Sequence, residues 1–143
     1  MKKIKILIMG LPGSGKSTLS AKLAPLLNAS RVNADEVRKK FNDWDFNIEG
    51  RIRQSKRMNE LSNEEIKKDN HVIADFICPT KYAREKFNAD YIIWMNTIAE
   101  GRFQDTNQMF EKPGNEIDFE VKKKDAENLK LLILEDIKKK FKF

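Results

Sequence analysis

The apolar residues of this chain fall into short runs that are separated by longer stretches of mixed composition. Short apolar runs are typical of strands that are buried on both faces of a parallel sheet. They predict strands at residues 4–9, 71–77 and 91–95, and residues 30–33 read as a further short strand. Because helical patterns lie between these strands, we expect a parallel sheet with right-handed crossovers and helices on both faces.

Five stretches carry helical spacing or a signal for the start of a helix. In the last of them, Ala126, Leu129, Ile133 and Ile137 form one apolar stripe. Thr80 is placed to cap the helix that follows it. The predicted helices cover residues 15–27, 35–41, 48–69, 81–87 and 121–140.

Length and composition predict one globular domain that spans residues 1–143, with 40% apolar and 35% charged residues. Cys78 is the only cysteine, which excludes an intrachain disulfide and favours a reducing, cytoplasmic compartment. No apolar run approaches the ~20 residues that a membrane span needs. The first apolar run ends at Gly10, which argues against a secretion signal.

The chain carries a net charge of +6, and lysine runs at 122–124 and 138–140 contribute to it. The simplest interpretation is the solvated face of a terminal helix. The alternative is a weak patch for nucleic acid or another anionic partner. We do not infer binding to nucleic acid from charge alone.

Residues 10–18 read Gly-Leu-Pro-Gly-Ser-Gly-Lys-Ser-Thr, which is the full phosphate-binding loop (P-loop) pattern. Glycines let several backbone N–H groups face one anion, and the following helix adds the positive end of its dipole. The pattern predicts that Lys16 reaches the β- and γ-phosphates of ATP and that the Ser17 hydroxyl holds Mg²⁺. Phosphate contacts are expected from Gly13, Ser14, Gly15, Lys16, Ser17 and Thr18.

With this motif, the fold prediction becomes an α/β, P-loop kinase-type three-layer sandwich with a parallel sheet of four to five strands. Ligands bind such sheets beyond the carboxyl ends of the strands. The P-loop follows the first strand, Asp35 follows the second, and Asp75 lies near the end of the run at 71–77. The order of these segments therefore predicts one shared site.

Phosphoryl transfer to a hydroxyl needs a carboxylate near the acceptor and cations near the migrating group. Asp35 is the candidate base, and Arg38 lies one helical turn later on the same face. The alternative is that Asp35 caps its own helix while Arg38 lies on the surface. Arg51, Arg53 and Arg57 are three of seven arginines in the chain; they predict phosphate or sulfate binding, with a solvated surface as the alternative.

Other polar and aromatic candidates surround this set. Trp44 and Phe46 either stack on a base or seal the core. Asp75 either supports Mg²⁺ through water or bonds to Ser17 in a supporting role. Residues 98–114 are expected to form a lid that brings Arg102 to the ATP phosphates, and a surface position for Arg102 is the alternative.

The chain resembles the adenylylsulfate kinase (APS kinase) family over roughly residues 4–110, and within it shortened proteins that include phage-encoded ones. The resemblance rests on the P-loop, residues 33–38 (Asn-Ala-Asp-Glu-Val-Arg), Phe46 followed by residues 51–53, and residues 72–79 (Val-Ile-Ala-Asp-Phe-Ile-Cys-Pro). It implies transfer of the γ-phosphoryl group of ATP to the 3′-hydroxyl of adenylyl sulfate in sulfate assimilation. APS kinases are often dimers.

Carried over by position, the resemblance implies a role for each matching residue. Asp35 would be the base or hydroxyl anchor, and Arg38 and Arg53 would bind the phosphosulfate group. Phe46 would stack on the adenine of the acceptor. The border of that pocket would be formed by Phe76 and Ile77.

The chain departs from the family pattern on the acceptor side. Asn33 stands where the family usually has Asp, Ile48 and Arg51 stand where it offers Arg and Asn, and residues 104–110 lack the basic residues of its lid motif. The sequence predicts an ATP- and Mg²⁺-dependent kinase whose first acceptor candidate is adenylyl sulfate. Two alternatives stay open: a kinase for a nucleic-acid 5′-hydroxyl or a phosphorylated metabolite, and a non-catalytic module that binds ATP.

Overall fold

Five strands and six helices follow one another in a computed structural model that describes residues 2–101 and 104–142. The strands are β1 (Lys5–Met9), β2 (Ser30–Asn33), β3 (Val72–Asp75), β4 (Tyr91–Met95) and β5 (Phe119–Val121). The helices are α1 (Lys16–Leu27), α2 (Ala34–Phe41), α3 (Ile48–Lys67), α4 (Lys81–Phe87), α5 (Gln104–Met109) and α6 (Ala126–Phe141).

All neighbouring strands pair in parallel, in the order β2-β3-β1-β4-β5. The first strand of the chain therefore lies at the centre of the sheet. In the register, Asn33 at the end of β2 is the partner of Asp75, and Asp75 is the partner of Ile8 near the end of β1. The segments that follow β1, β2 and β3 consequently leave the sheet at one edge, where ligands bind in open α/β folds.

The sheet is buried on both faces, which makes three layers. Alternate residues of β1 point to opposite faces, as expected of a strand: Ile6 and Ile8 join one apolar cluster, and Leu7 and Met9 join the other. The first cluster is closed by α1 and α6, and the second by α2, α3 and α4. The residues that close them are Leu19, Leu23, Ile133 and Ile137 for the first, and Val37, Met58 and Phe87 for the second.

The structure confirms the predicted fold class and the four predicted strands, and it corrects the end of the chain. The predicted helix at 121–140 was wrong in its start, because residues 119–121 form β5 and α6 begins only at Ala126. The three-residue β5 is an edge strand with one fully buried residue, Val121, so its apolar signal is weak. The lysines at 122–124 therefore lie on the connection from β5 to α6 instead of on a helix face.

Helix α3 is long and mostly polar, as predicted. The side chains of Arg51 and Gln54 are nevertheless buried on its inner face, near its start. Buried polar groups need partners, so this end of α3 has the composition of a site wall. Within the described ranges, no helix combines the length and the apolar character that a bilayer crossing requires.

Candidate active site

The turn between β1 and α1 has the backbone conformation of a phosphate cradle. Gly10, Gly13 and Gly15 have φ angles of 151°, 85° and 102°, which favour glycine. At Gly10 the space is also closed, since a Cβ atom there would lie 2.8 Å from the Met95 carbonyl oxygen. Gly15 is the N-cap of α1, so the positive end of that helix faces the loop.

Lys16 extends from the first turn of α1, and its Nζ donates a hydrogen bond to the Leu11 carbonyl at 2.8 Å. Burial lowers the pKa of Lys16 to about 8, while the charges of Asp75 and Asp35 oppose that shift and Arg51 adds to it. The ammonium group thus interacts with both carboxylates predicted for the site. An incoming polyphosphate would favour its charged form.

Ser17 is held by a network that links the ends of β2 and β3 to α1. Asn33 Nδ2 donates to Ser17 Oγ at 3.0 Å and to Asp75 Oδ1 at 2.7 Å. The other oxygen of Asp75 accepts a hydrogen bond from Ser20 Oγ, and Arg31 Nε lies 3.4 Å from it. Asp75, which is 1% exposed, therefore reaches Ser17 through Asn33 and not by direct contact.

Asn33, Ser20 and Arg31 were not identified from the sequence. Asn33 combines two roles that need an amide: its Nδ2 donates to Ser17 and Asp75, and its Oδ1 accepts from the backbone N–H of Glu36 as the N-cap of α2. An aspartate at this position would place a second carboxylate against Asp75. The amide therefore avoids a like-charge contact in a buried network.

A cavity of about 360 Å³ opens beside the P-loop, and it holds most of the predicted acceptor residues. We call it the acceptor cavity. Asp35 and Lys16 both line it, so the candidate base and the P-loop lysine share one space. The complete lining is Pro12, Lys16, Ala34, Asp35, Arg38, Trp44, Phe46, Arg51, Gln54, Ser55, Phe76, Ile77, Cys78 and Pro79.

Asp35 is exposed at the start of α2, and Asn33 is the residue that caps this helix. The alternative in which Asp35 serves as the cap is therefore wrong. Its carboxylate stays available on the cavity side, within electrostatic range of Lys16.

The predicted arginines have different surroundings. Arg38 is 4% exposed; its Nη1 donates to the carbonyls of Asp43 and Asp45 at 3.0 and 3.1 Å, and its guanidinium lies 4.4 Å from the centre of the Phe46 ring. Arg51 is buried, lies 5.3 Å from the same ring and donates to Thr106 Oγ1 on α5. Both arginines line the cavity.

Arg53 does not line the acceptor cavity. Its guanidinium pairs with Asp43 and Asp45, the two acids that precede α3. The structure thus separates two arginines that the sequence grouped together, because residues 51 and 53 lie on different faces of a helix. The predicted contact between Arg53 and a phosphosulfate group has no support in this arrangement.

The predicted lid segment and the residue before it contact both halves of the site. Thr97 Oγ1, just before the segment, donates to the Ser14 carbonyl at 2.7 Å, and a Cβ atom on Gly101 within it would lie 3.2 Å from Pro12. Further along, Thr106 is buried against Arg51. Arg102, predicted to reach the ATP phosphates, lies outside the described residues.

The first lysine run lies nearer to the P-loop than the sequence indicated. A Cβ atom on Gly15 would lie 3.8 Å from Cγ of Lys124, so the connection from β5 to α6 passes beside the start of α1. This position adds positive charge near the cradle. The sequence signal was the run itself, which was assigned to a helix face.

A family model described as an AAA domain, AAA_33, matches residues 6–90, which is more than half of the chain. The chain belongs to this family. The match spans the P-loop and the strands that carry Asn33 and Asp75, so the members of the network around Ser17 lie inside the shared region. The comparisons support a P-loop phosphotransferase and leave its acceptor open.

Proteins similar to this chain include kinases that are named for different acceptors. The shikimate kinase of Mannheimia succiniciproducens is 29% identical over 118 residues, which cover 78% of this chain and 67% of the relative. The structure of Mycobacterium tuberculosis APS kinase with AMPPNP and APS has a TM-score of 0.76 at 15% identity, covering 96% of this chain and 98% of that one. Shikimate kinase from Acinetobacter baumannii with shikimate has a TM-score of 0.64 at 19% identity, with coverages of 97% and 95%.

Proposed function

We propose that this protein is an ATP- and Mg²⁺-dependent kinase that transfers the γ-phosphoryl group to a hydroxyl of a small anionic acceptor, with adenylyl sulfate as the first candidate. The observation that carries this proposal is that Lys16 and Asp35 line one cavity. A phosphate-binding cation and a carboxylate thus face the same space, which is the minimum that transfer to an alcohol requires.

The donor side is assigned to the P-loop. The backbone N–H groups of residues 13–18 hold the phosphates, and Lys16 leaves the Leu11 carbonyl to neutralise charge that builds up on the transferred group. Ser17 Oγ is oriented by Asn33, which is itself anchored on Asp75. This hydroxyl is a suitable ligand for Mg²⁺, and Asp75 helps to orient it through its hydrogen bond with Asn33.

Bound Mg²⁺ would supply charge neutralisation and alignment of the phosphate oxygens. The chain itself contributes the acceptor chemistry. Asp35 accepts the proton of the acceptor hydroxyl as the oxygen attacks the γ-phosphorus; the bond from that phosphorus to the β–γ bridging oxygen breaks and ADP leaves. The exposed position of Asp35 at the start of α2 leaves room for the hydroxyl.

The walls of the cavity favour an acceptor that is both anionic and planar. Arg38 and Arg51 carry two positive charges, against the single carboxylate of Asp35, so an anion is attracted. Trp44, Phe46 and Phe76 supply aromatic surfaces that suit a purine base. Adenylyl sulfate combines a phosphosulfate with an adenine, and it therefore uses both kinds of wall.

A second acceptor candidate is a hydroxylated carboxylic acid such as shikimate. The observation in its favour is the 29% identity with a shikimate kinase, and a carboxylate also suits Arg38 and Arg51. It would leave much of the aromatic wall unused, since shikimate has no aromatic ring.

The test is an acceptor panel with purified protein and Mg·ATP: adenylyl sulfate, shikimate, gluconate and an oligonucleotide with a free 5′-hydroxyl. ADP release is followed together with the mass of the phosphorylated product, and Lys16→Ala is the inactive control. We expect adenylyl sulfate to give the highest kcat/KM by about 100-fold or more. Preferred turnover of shikimate would replace the acceptor, whereas ATP binding without transfer to any member would overturn the kinase proposal.

A further inference from the structure

Residues 43–46, in the connection from α2 to α3, read Asp-Trp-Asp-Phe, so acidic and aromatic side chains alternate. The two kinds have different surroundings. Trp44 and Phe46 line the acceptor cavity, whereas Asp43 and Asp45 accept hydrogen bonds from Arg53. The acidic and aromatic side chains of this short segment share one backbone, so fixing the two acids restricts where Trp44 and Phe46 can lie.

The acidic side is bound by two arginines that are one helical turn apart on α3. Arg53 Nε donates to Asp43 Oδ2 at 3.0 Å, and its Nη2 donates to Asp45 Oδ2 at 3.1 Å. Arg57 Nη1 lies 2.8 Å from Asp43 Oδ2. We call these four residues the acid–arginine clamp.

The backbone of the same segment is fixed from two further directions. Arg38 Nη1 donates to the carbonyls of Asp43 and Asp45. On the other side, the segment touches the first turn of α3 so closely that a Cβ atom on Gly50 would lie 2.1 Å from the Asp45 carbonyl oxygen. The hydrogen bond from Arg53 holds the pKa of Asp43 well below its usual range, so this acid stays charged at neutral pH.

We propose that Arg53 and Arg57 are positioning residues for the acceptor: through Asp43 and Asp45 they hold Trp44 and Phe46 in the cavity wall before the acceptor arrives. This inference deepens the proposed function and rests on its acceptor cavity. It gives Arg53 a role without contact to the acceptor, because its Nε and Nη2 are both directed at the two acids.

The expected kinetic effect depends on whether the aromatic wall is ordered before the acceptor binds or only when it binds. An aromatic wall that is ordered in advance spares the acceptor the entropy of ordering it. Loss of the clamp therefore raises the acceptor KM, while kcat and ATP affinity, which depend on Lys16 and Asp35, change little. A direct contact of Arg53 with a sulfate would behave differently, since freeing Arg53 from its acids would then leave binding intact or improve it.

The first test needs no acceptor. The chain has two tryptophans, and Trp44 is 49% exposed while Trp94 is 8% exposed, so acrylamide quenching reports mainly Trp44. Arg53→Gln is expected to raise the quenching constant by about twofold as the segment loosens. Trp44→Phe identifies the Trp44 component, and Lys56→Gln, at an exposed lysine of the same helix, is the matched control.

The second test is a double-mutant cycle on acceptor kinetics with Arg53→Gln and Asp43→Asn. We expect each change to raise the acceptor KM by about tenfold, and the pair to raise it by much less than the roughly 100-fold product, because both break the Arg53–Asp43 contact. Arg53→Lys should raise the acceptor KM by less than Arg53→Gln does. Additive effects, or an unchanged KM for Asp43→Asn beside a raised KM for Arg53→Gln, would overturn the clamp and restore the direct contact.

The two tests separate the inference from the proposed function. If no acceptor of the panel is phosphorylated, the kinase proposal fails while the quenching experiment still decides on the clamp. If transfer occurs but Arg53→Gln leaves the quenching of Trp44 unchanged, the clamp fails while the kinase proposal stands.

Discussion

The P-loop and the acceptor cavity occupy the same edge of the sheet, but they are built in different ways. The P-loop comes from one continuous segment, and its shape depends on glycine φ angles and on the start of α1. The acceptor cavity draws on α2, the segment 43–46, the inner face of α3 and residues 76–79. Substitutions in the first are expected to act locally, whereas those in the second act through neighbouring segments.

The difference also concerns what each region fixes chemically. Any nucleoside triphosphate offers the same phosphates, so the cradle needs one geometry for many enzymes. An acceptor varies in ring, charge and hydroxyl position, so we expect the wall of its cavity to differ more between kinases of this fold than the P-loop does. The APS kinase and shikimate kinase structures named above share the fold of this chain, one in complex with AMPPNP and APS and the other with shikimate.

The largest expected effect is on the donor side. Lys16→Ala should lower kcat by about 1,000-fold, because it removes a charge that acts mainly in the transition state. The acceptor KM should stay within about threefold, since the aromatic wall is untouched. Turnover of the preferred acceptor under Mg·ATP saturation measures this, and Lys16→Arg tests whether charge without the lysine geometry suffices. A rise in acceptor KM as large as the fall in kcat would show that the P-loop and the acceptor cavity do not act separately.

A smaller effect is expected at the boundary between the regions. Asp35→Asn should lower kcat by about 100-fold, since an amide does not take the proton of the hydroxyl. ATP affinity should be unchanged or slightly higher, because a carboxylate near the phosphates is lost. Isothermal titration with a non-hydrolysable ATP analogue, beside turnover, separates these quantities. Loss of nucleotide binding in this variant would instead make Asp35 part of the donor side.

The same division explains what the sequence could predict. The P-loop could be predicted because its chemistry requires contiguous residues. The strands could be predicted because a strand that is buried on both faces of a sheet needs a continuous apolar run. The role of Asn33 could not be predicted, because it depends on hydrogen bonds to Asp75 and Ser17, which are distant in sequence. The pairing of β2 with β3 brings Asn33 beside Asp75. Strand β5 has too few apolar positions to stand out.

On the acceptor side, the sequence indicated which residues come together better than it indicated the partners of each side chain. Trp44, Phe46, Arg38 and Arg51 do line a cavity. Arg53 has the same chemistry as Arg51, but helical geometry turns it towards Asp43 and Asp45. Spacing places arginines on one helix, and the partners that compete for each guanidinium appear only in three dimensions.

A pair of glycine substitutions should affect the two regions in opposite ways. Gly50→Ala places a Cβ atom 2.1 Å from the Asp45 carbonyl oxygen, so the segment before α3 must move and the acceptor KM should rise about tenfold. Gly13→Ala meets no atom within 4 Å but has a φ of 85°, so backbone strain of about 1 kcal/mol should weaken ATP binding instead.

Acceptor KM and ATP Kd, measured on both variants, form a two-by-two comparison. Thermal unfolding serves as the control for general damage. If acceptor KM and ATP Kd rose by the same factor in each variant, the donor and acceptor regions would not be independent.

The smallest expected effect is a dependence of nucleotide binding on pH, and it distinguishes two lysines with the same perturbed pKa. Burial lowers the pKa of both Lys16 and Lys5 to about 8. Lys16 lies in the P-loop, where the phosphates would bind under the proposed function. Lys5 lies at the opposite end of β1, where its Nζ donates to Asn59 and Asn63. Only the first is coupled to the ligand, so proton uptake on nucleotide binding should come from Lys16 alone.

The direction of this effect follows from the charged form that the phosphates favour. Binding raises the pKa of Lys16 above about 8, so uptake should be about 0.1 proton at pH 7 and approach one proton near pH 9, with affinity falling as pH rises through that window. Titration calorimetry in two buffers of different ionisation enthalpy counts the protons. Lys16→Arg should abolish the uptake, because arginine stays charged throughout, and Lys5→Met should leave it intact. Uptake that survives in Lys16→Arg would mean that another group senses the phosphates, and the cradle would then extend beyond the P-loop.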